Sequence, residues 1–127
     1  MQILLAEDSP VMRRIIGTVV TNMGFQAVKT ANGAECLATL RKISQKTALV
    51  ILDWNMPIMD GYQALKTIRA HEEYDHIPVL MATADGVEGD VIKALQAGAN
   101  AYLVKPFKEG ELSERITELL KEFPVAH

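Results

Sequence analysis

Five side chains of the 127-residue chain could combine into one chemistry: Glu7, Asp8, Asp53, Thr83 and Lys105. Together they would offer three carboxylates, a hydroxyl and an ammonium. Two unit charges about 4 Å apart near a protein surface repel by roughly 4 kcal/mol at an effective dielectric near 20, so crowded carboxylates need a cation. Oxygen ligands without His or Cys suit a hard ion, and Mg²⁺ fits a site with few carboxylates and several retained waters. A carboxylate beside that ion and a lysine, with a hydroxyl nearby, is arranged to receive or hold a phosphoryl group. Asp53 would attack in line, with metal and ammonium neutralising charge on the transferring oxygens. Taken singly, each residue has an ordinary explanation. Glu7-Asp8 could be a solvated loop, Asp53 the start of a loop, Thr83 a helix cap, and Lys105 a turn residue before Pro106.

Whether these residues meet depends on the elements that carry them. Five apolar runs read as strands: Ile3 to Ala6, Gln26 to Lys29, Leu49 to Leu52, Val79 to Ala82 and Ala101 to Val104. The first, third and fourth are almost wholly apolar, the habit of strands covered on both faces, and belong in the middle of a sheet. The second and fifth are shorter or more mixed and suit edges. Amphipathic stretches alternate with them. After Ser9, an N-cap, Pro10 takes the first helical position, and Gly24 ends the helix. Val11, Met12, Ile15, Ile16, Val19, Val20 and Met23 form its apolar face, with Arg13, Arg14, Thr18 and Thr21 opposite. A second helix opens after Asn32 and buries Leu37, Leu40 and Ile43. A third follows Asp60 with Gly61, Leu65 and Ile68 inward. A fourth runs from about Glu88 to Ala97 and closes at Gly98, and the last turns Leu112, Ile116, Leu119, Leu120 and Phe123 inward.

Strictly alternating βα units call for right-handed crossovers and an α/β, three-layer, doubly wound five-stranded parallel sheet. In such a sheet the carboxyl ends of all strands share one edge, where open α/β folds place their ligands. Glu7-Asp8, Asp53, Thr83 and Lys105 follow four of those strands and become neighbours.

Composition removes other classes. Hydrophobic residues at 49% exclude disorder, and a net charge of -3 leaves no basic footprint for nucleic acid or a polybasic membrane signal. Cys36 is the lone cysteine, so no intramolecular disulfide forms and a reducing compartment is expected. The N-terminal apolar run stops at Glu7-Asp8, too short for a signal peptide or a membrane span. The expectation is one cytoplasmic domain over residues 1-127, monomeric for want of an apolar patch. His71, His76 and His127 lack ligand spacing and read as surface residues, and Cys36 as a small packed one.

The motifs also carry a resemblance that covers essentially the whole chain. Glu7-Asp8, the run Asp53-Trp54-Asn55-Met56-Pro57-Ile58-Met59-Asp60-Gly61, Thr83-Ala84 and Tyr102-Leu103-Val104-Lys105-Pro106-Phe107 resemble the receiver domain of two-component response regulators. The resemblance is greatest to the free-standing, CheY-like kind that serves chemotaxis. It implies the flavodoxin-like strand order 2-1-3-4-5. It also implies that Asp53 is the phosphoacceptor, charged by a sensor histidine kinase, a phosphotransfer protein or a small acyl phosphate. Asp8, Asp53 and the backbone carbonyl of Asn55 would bind Mg²⁺, with Glu7 acting through water. Lys105 would pair with the phosphoryl oxygens and Thr83 would donate its hydroxyl to them. Tyr102 would turn inward behind Thr83 and alter the face of the fourth helix, fifth strand and fifth helix, where a downstream target docks. The Lys105-Pro106 bond would be cis.

Asn55 and Asp85, two residues beyond Asp53 and Thr83, would flank the water that removes the phosphoryl group. No output domain follows the fifth helix, which fits a diffusible regulator, although a receiver cut from a larger regulator or hybrid kinase would read the same. An aspartate-nucleophile phosphatase of the haloacid-dehalogenase pattern would need an acid where Asn55 stands. A flavodoxin-type carrier would need a Ser/Thr/Gly-rich loop where Glu7-Asp8 would repel phosphate.

Overall fold

The computed structural model describes residues 1–124, and His127 lies outside the described residues. Five strands, β1 (Gln2–Ala6), β2 (Gln26–Thr30), β3 (Thr47–Leu52), β4 (Val79–Thr83) and β5 (Ala101–Val104), alternate with five helices. The helices are α1 (Pro10–Asn22), α2 (Gly33–Ile43), α3 (Gly61–Arg69), α4 (Glu88–Gln96) and α5 (Glu109–Glu122). Short 3₁₀ turns at Ser44–Lys46 and Glu72–Tyr74 precede β3 and β4. All strand pairs are parallel, in the order β2-β1-β3-β4-β5. The strands ranked central by apolarity are the central ones.

The pleat divides each central strand between two cores. Leu4, Ala6, Val50, Leu52, Val79 and Met81 face α2, α3 and α4, where they meet Cys36, Leu40, Leu65 and Ile68. Ile3, Leu5, Leu49, Ile51, Leu80 and Ala82 face the other way, onto Ile16, Val20, Leu112 and Ile116 of α1 and α5. Ser9 caps α1 through a hydrogen bond from the Met12 N–H, and Asn32 caps α2 through one from Glu35. Gly24 and Gly98 end their helices at φ 92° and 111°, backbone that glycine adopts without strain.

Several details differ from the expectation. Val11 was assigned to the apolar face of α1 but is 65% exposed. It follows Pro10 in the first turn, beyond the reach of the core. Arg13, assigned to the solvent side, turns back to the β1–α1 loop. Leu37, Ile43, Leu120 and Phe123 are only half-buried. Thr83 is the last residue of β4 instead of the first after it, and is fully buried. Apolar side chains do reach the surface on one side: Val87, Ile92, Leu95 and Val104, at α4 and the end of β5, are exposed.

Arg69 joins α3 to the far end of the sheet. Its guanidinium donates to the carbonyls of Gly98, Tyr74 and Ile77 and to Asn100 Oδ1, at 2.9, 3.1, 2.9 and 2.9 Å. Burial lowers its pKa from the ordinary arginine value. Four acceptors compensate for the lost hydration.

Candidate functional site

The strand ladders continue one residue past three strands, and that continuation builds the site. Glu7 N–H donates to the Thr30 carbonyl at 3.1 Å, Asp53 N–H to Ala6 at 3.0 Å, and Lys105 N–H to Thr83 at 2.8 Å. The backbones of Glu7, Asp53 and Lys105 are therefore held by the sheet itself, and their side chains converge at its carboxyl edge. One oxygen each from Glu7, Asp8 and Asp53 lies within 4.8 Å of the others. Lys105 Nζ pairs with Glu7 Oε1 and lies 3.2 Å from Asp53 Oδ2. The Lys105–Pro106 bond is cis.

The carboxylates are not equivalent. Glu7 is 1% exposed and Asp53 8%, whereas Asp8 is exposed. Both Glu7 oxygens are engaged by the protein, Oε1 by Lys105 and Oε2 by the Ser9 N–H at 3.1 Å. Burial raises the pKa of Glu7, aided by the charge of Asp53 and opposed by Lys105 and the Ser9 N–H. For Lys105, burial alone would lower the pKa, but the hydrogen bond to Glu7 and the charge of Asp53 outweigh it and raise the ammonium. The donor set fits a hard divalent cation: oxygens only, three carboxylates and one ammonium to balance them. Asp8 is the carboxylate open to solvent, and the engagement of Glu7 suits a contact through water.

The other half of the site is built from β4, β5 and the loop before α4. The Thr83 hydroxyl accepts from the Asp85 N–H at 3.3 Å, and the Tyr102 hydroxyl donates to the Asp85 carbonyl at 2.6 Å. Thr83 and Tyr102 thus hold the same loop residue from two strands. Burial raises Tyr102 to about 12, with the charges of Asp85, Asp90 and Asp53 adding. Asn55 is exposed at the lip, two residues beyond Asp53.

The β3–α3 loop closes under backbone constraint. A side chain on Gly61 would strike the Asp53 carbonyl, and the Gly61 N–H donates to Trp54 at 2.8 Å. Ile58 sits at φ 70°, uncommon for a β-branched residue, with its side chain 84% exposed. Strain of this kind persists only where the surroundings hold it. Here the Met59 N–H bonds Pro57 at 2.7 Å and the Met59 carbonyl takes the Gly33 N–H at 2.9 Å.

Sequence reasoning missed two features. Trp54, beside Asp53, stacks on Tyr62 of α3 with ring centres 5.1 Å apart and planes 3° from parallel. Lys66 of α3 and Lys93 of α4 each place Nζ 4.7 Å from the Tyr62 ring centre. The Lys66 contact is an i,i+4 pair within α3 that sequence spacing allows, whereas the Lys93 contact depends on the spacing of α3 and α4 and leaves no mark in sequence. The second is Arg13. Its position one turn into the helix after Glu7-Asp8 was a usable signal, since a long donor there can reach back to the loop.

Comparison with known proteins tests the family expectation. The response regulator receiver domain family matches residues 3–117. A chemotaxis protein CheY homolog of Campylobacter jejuni is 40% identical over 121 residues, 94% of this chain and 92% of that one. The chemotaxis protein CheY-3 of Vibrio cholerae is 41% identical over 122 residues, 95% of this chain and 92% of that one. The crystal structure of a sensor histidine kinase receiver domain from Pseudomonas aeruginosa, which carries a magnesium ion in its active-site cleft, covers 94% of this chain and 97% of its own. It matches with a TM-score of 0.84 at 33% identity. With a family match over most of its length and relatives at about 40% identity, the chain belongs to the receiver domain family of two-component response regulators.

Proposed function

We propose that this protein is a phosphorylation-driven signalling switch of the chemotaxis type, charged on Asp53 by a histidine kinase or its phosphotransfer protein. The observation that supports this most is the meeting of Glu7, Asp8 and Asp53 within 4.8 Å beside Lys105. Asp8, Asp53 and the Asn55 carbonyl would hold Mg²⁺, with Glu7 outside through water. When bound, the ion would screen the carboxylates and the incoming phosphoryl oxygens. An Asp53 oxygen attacks phosphorus, the bond from phosphorus to the donor's imidazole nitrogen breaks, and its electron pair stays on that nitrogen. Lys105, already 3.2 Å from Asp53, neutralises charge on the transferred group, and the Thr83 hydroxyl turns from the Asp85 N–H to donate to it. Water later attacks phosphorus and returns the carboxylate and inorganic phosphate.

The signal would leave through α4, β5 and α5. A cavity of about 380 Å³ there is lined by Val91, Leu95, Tyr102, Arg115 and Leu119, among others. Tyr102 belongs both to that cavity and to the Asp85 contact, so movement of the loop reaches the docking face directly.

The test is exposure to a small acyl phosphate with and without Mg²⁺, read as gain of one phosphoryl group by intact mass. Wild type gains it only with Mg²⁺, and Asp53→Asn stays folded and unmodified. A phosphorylated Asp53→Asn protein would sink the assignment. Lys105→Ala should bind metal yet fail to transmit to a target.

A further inference from the structure

We infer that Arg13 is the positioning residue of the metal-binding loop: from the first turn of α1 it holds the backbone that carries Glu7 and Asp8. This rests on the receiver-site reading above. Arg13 Nη1 donates to the Glu7 carbonyl at 2.7 Å and lies 3.5 Å from the Asp8 carbonyl. The rest of Glu7 is held from elsewhere: its N–H by β2, one carboxylate oxygen by Lys105 and the other by the Ser9 N–H. Asp8 has an exposed side chain, and Arg13 is the side chain that reaches its backbone. Arg13 is half-buried, so its bond to the Glu7 carbonyl has less competition from water than an exposed pair. The same helix carries Arg14, which is exposed and has the same charge.

This neighbour makes charge and position separable by sign. A cation near an acidic metal site repels the metal, so if Arg13 acted by charge, its removal would tighten Mg²⁺ binding. If it positions Asp8, removal lets the loop relax and weakens binding.

The experiment titrates MgCl₂ against Trp54 fluorescence in wild type, Arg13→Ala, Arg13→Lys and Arg14→Ala. Arg13→Ala should bind Mg²⁺ about tenfold more weakly, the low end of what losing a ligand-orienting partner costs. Arg13→Lys keeps the charge on a shorter side chain that ends in a different donor geometry, and should fall between Arg13→Ala and wild type. Arg14→Ala should bind as wild type or slightly tighter. At saturating Mg²⁺ the acyl phosphate reaction of Arg13→Ala should recover, and its far-ultraviolet circular dichroism without Mg²⁺ should match wild type, which a general loss of stability would not allow. If Arg13→Ala does not fold, Arg13→Lys alone decides, because equal charge with weaker binding requires a positional role. Unchanged or tighter binding in the Arg13 variants, with wild type responding to Mg²⁺, overturns the inference alone. No response in wild type, confirmed by calorimetry, overturns the receiver-site reading with it.

Discussion

Helices α3 and α4 are each nine residues long, follow adjacent central strands and flank the same site, yet they are anchored very differently. α3 opens with a reciprocal capping box between Asp60 and Gln63 and buries Gly61, Ala64, Leu65 and Ile68. Its last residue, Arg69, is held by four acceptors. α4 follows Val87, which has no side chain to cap it, and buries only Ala94. Ile92 and Leu95 on its outer side are 46% and 44% exposed. Regions with few buried contacts open at low free-energy cost, and a ligand shifts a population only through differential affinity for two states. The site thus has a fixed half, β1, β3 and α3, that holds the carboxylates. Its movable half, the loop after Thr83 with α4, can respond.

The widest separation should appear in core truncation. Leu65→Ala, at a fully buried position, should cost about 2–5 kcal/mol by urea unfolding, whereas Leu95→Ala, half in solvent, should cost under about 1 kcal/mol. Equal losses would mean that α4 is as firmly packed as α3. Alanine at glycine gives the next contrast. Gly61→Ala drives a methyl into the Asp53 carbonyl and should cost about 3 kcal/mol, the upper part of the range for overpacking. Gly89 of α4 has nothing within 4 Å of a new Cβ, so Gly89→Ala should stabilise by about 0.5–1 kcal/mol. A smaller effect lies in the caps. Asp60→Ala should cost about 1 kcal/mol, and Val87→Asp, which supplies the missing cap to α4, should gain a similar amount.

The fixed half was the more legible in sequence. Unbroken apolar runs such as Leu49 to Leu52 named the strands, and Ser9, Asn32 and Asp60 named three helix starts, because capping and burial act within a few residues. The convergence of Glu7, Asp8, Asp53 and Lys105 followed from parallel topology, which the alternation of elements dictates. Features made by packing between elements were not legible. Nothing near Arg69 announces carbonyl partners at Gly98 and Ile77, and nothing near Tyr62 announces Lys93. Val11 continued the periodic stripe of α1 and was misjudged, since periodicity records the face of a helix but not where the core beneath it ends.

The subtlest test of the movable half is the ionisation of Tyr102. Its hydroxyl donates to the Asp85 carbonyl, a bond that phenolate cannot make, and burial with three nearby carboxylates lifts its pKa to about 12. A tyrosine ordinarily ionises near 10. Because the folded value is raised, this contribution to stability is fully present below pH 10 and is lost as pH rises from 10 to about 12. Near neutrality it does not vary with pH. The measurement is the alkaline difference absorbance between wild type and Tyr102→Phe, which isolates one phenol among the three tyrosines. Titration near 12 places the hydroxyl on the loop for most of the time, so that the loop after Thr83 is tied to β5. Titration near 10 would mean that Tyr102 already spends its time in solvent, and that β5 does not hold the loop after Thr83.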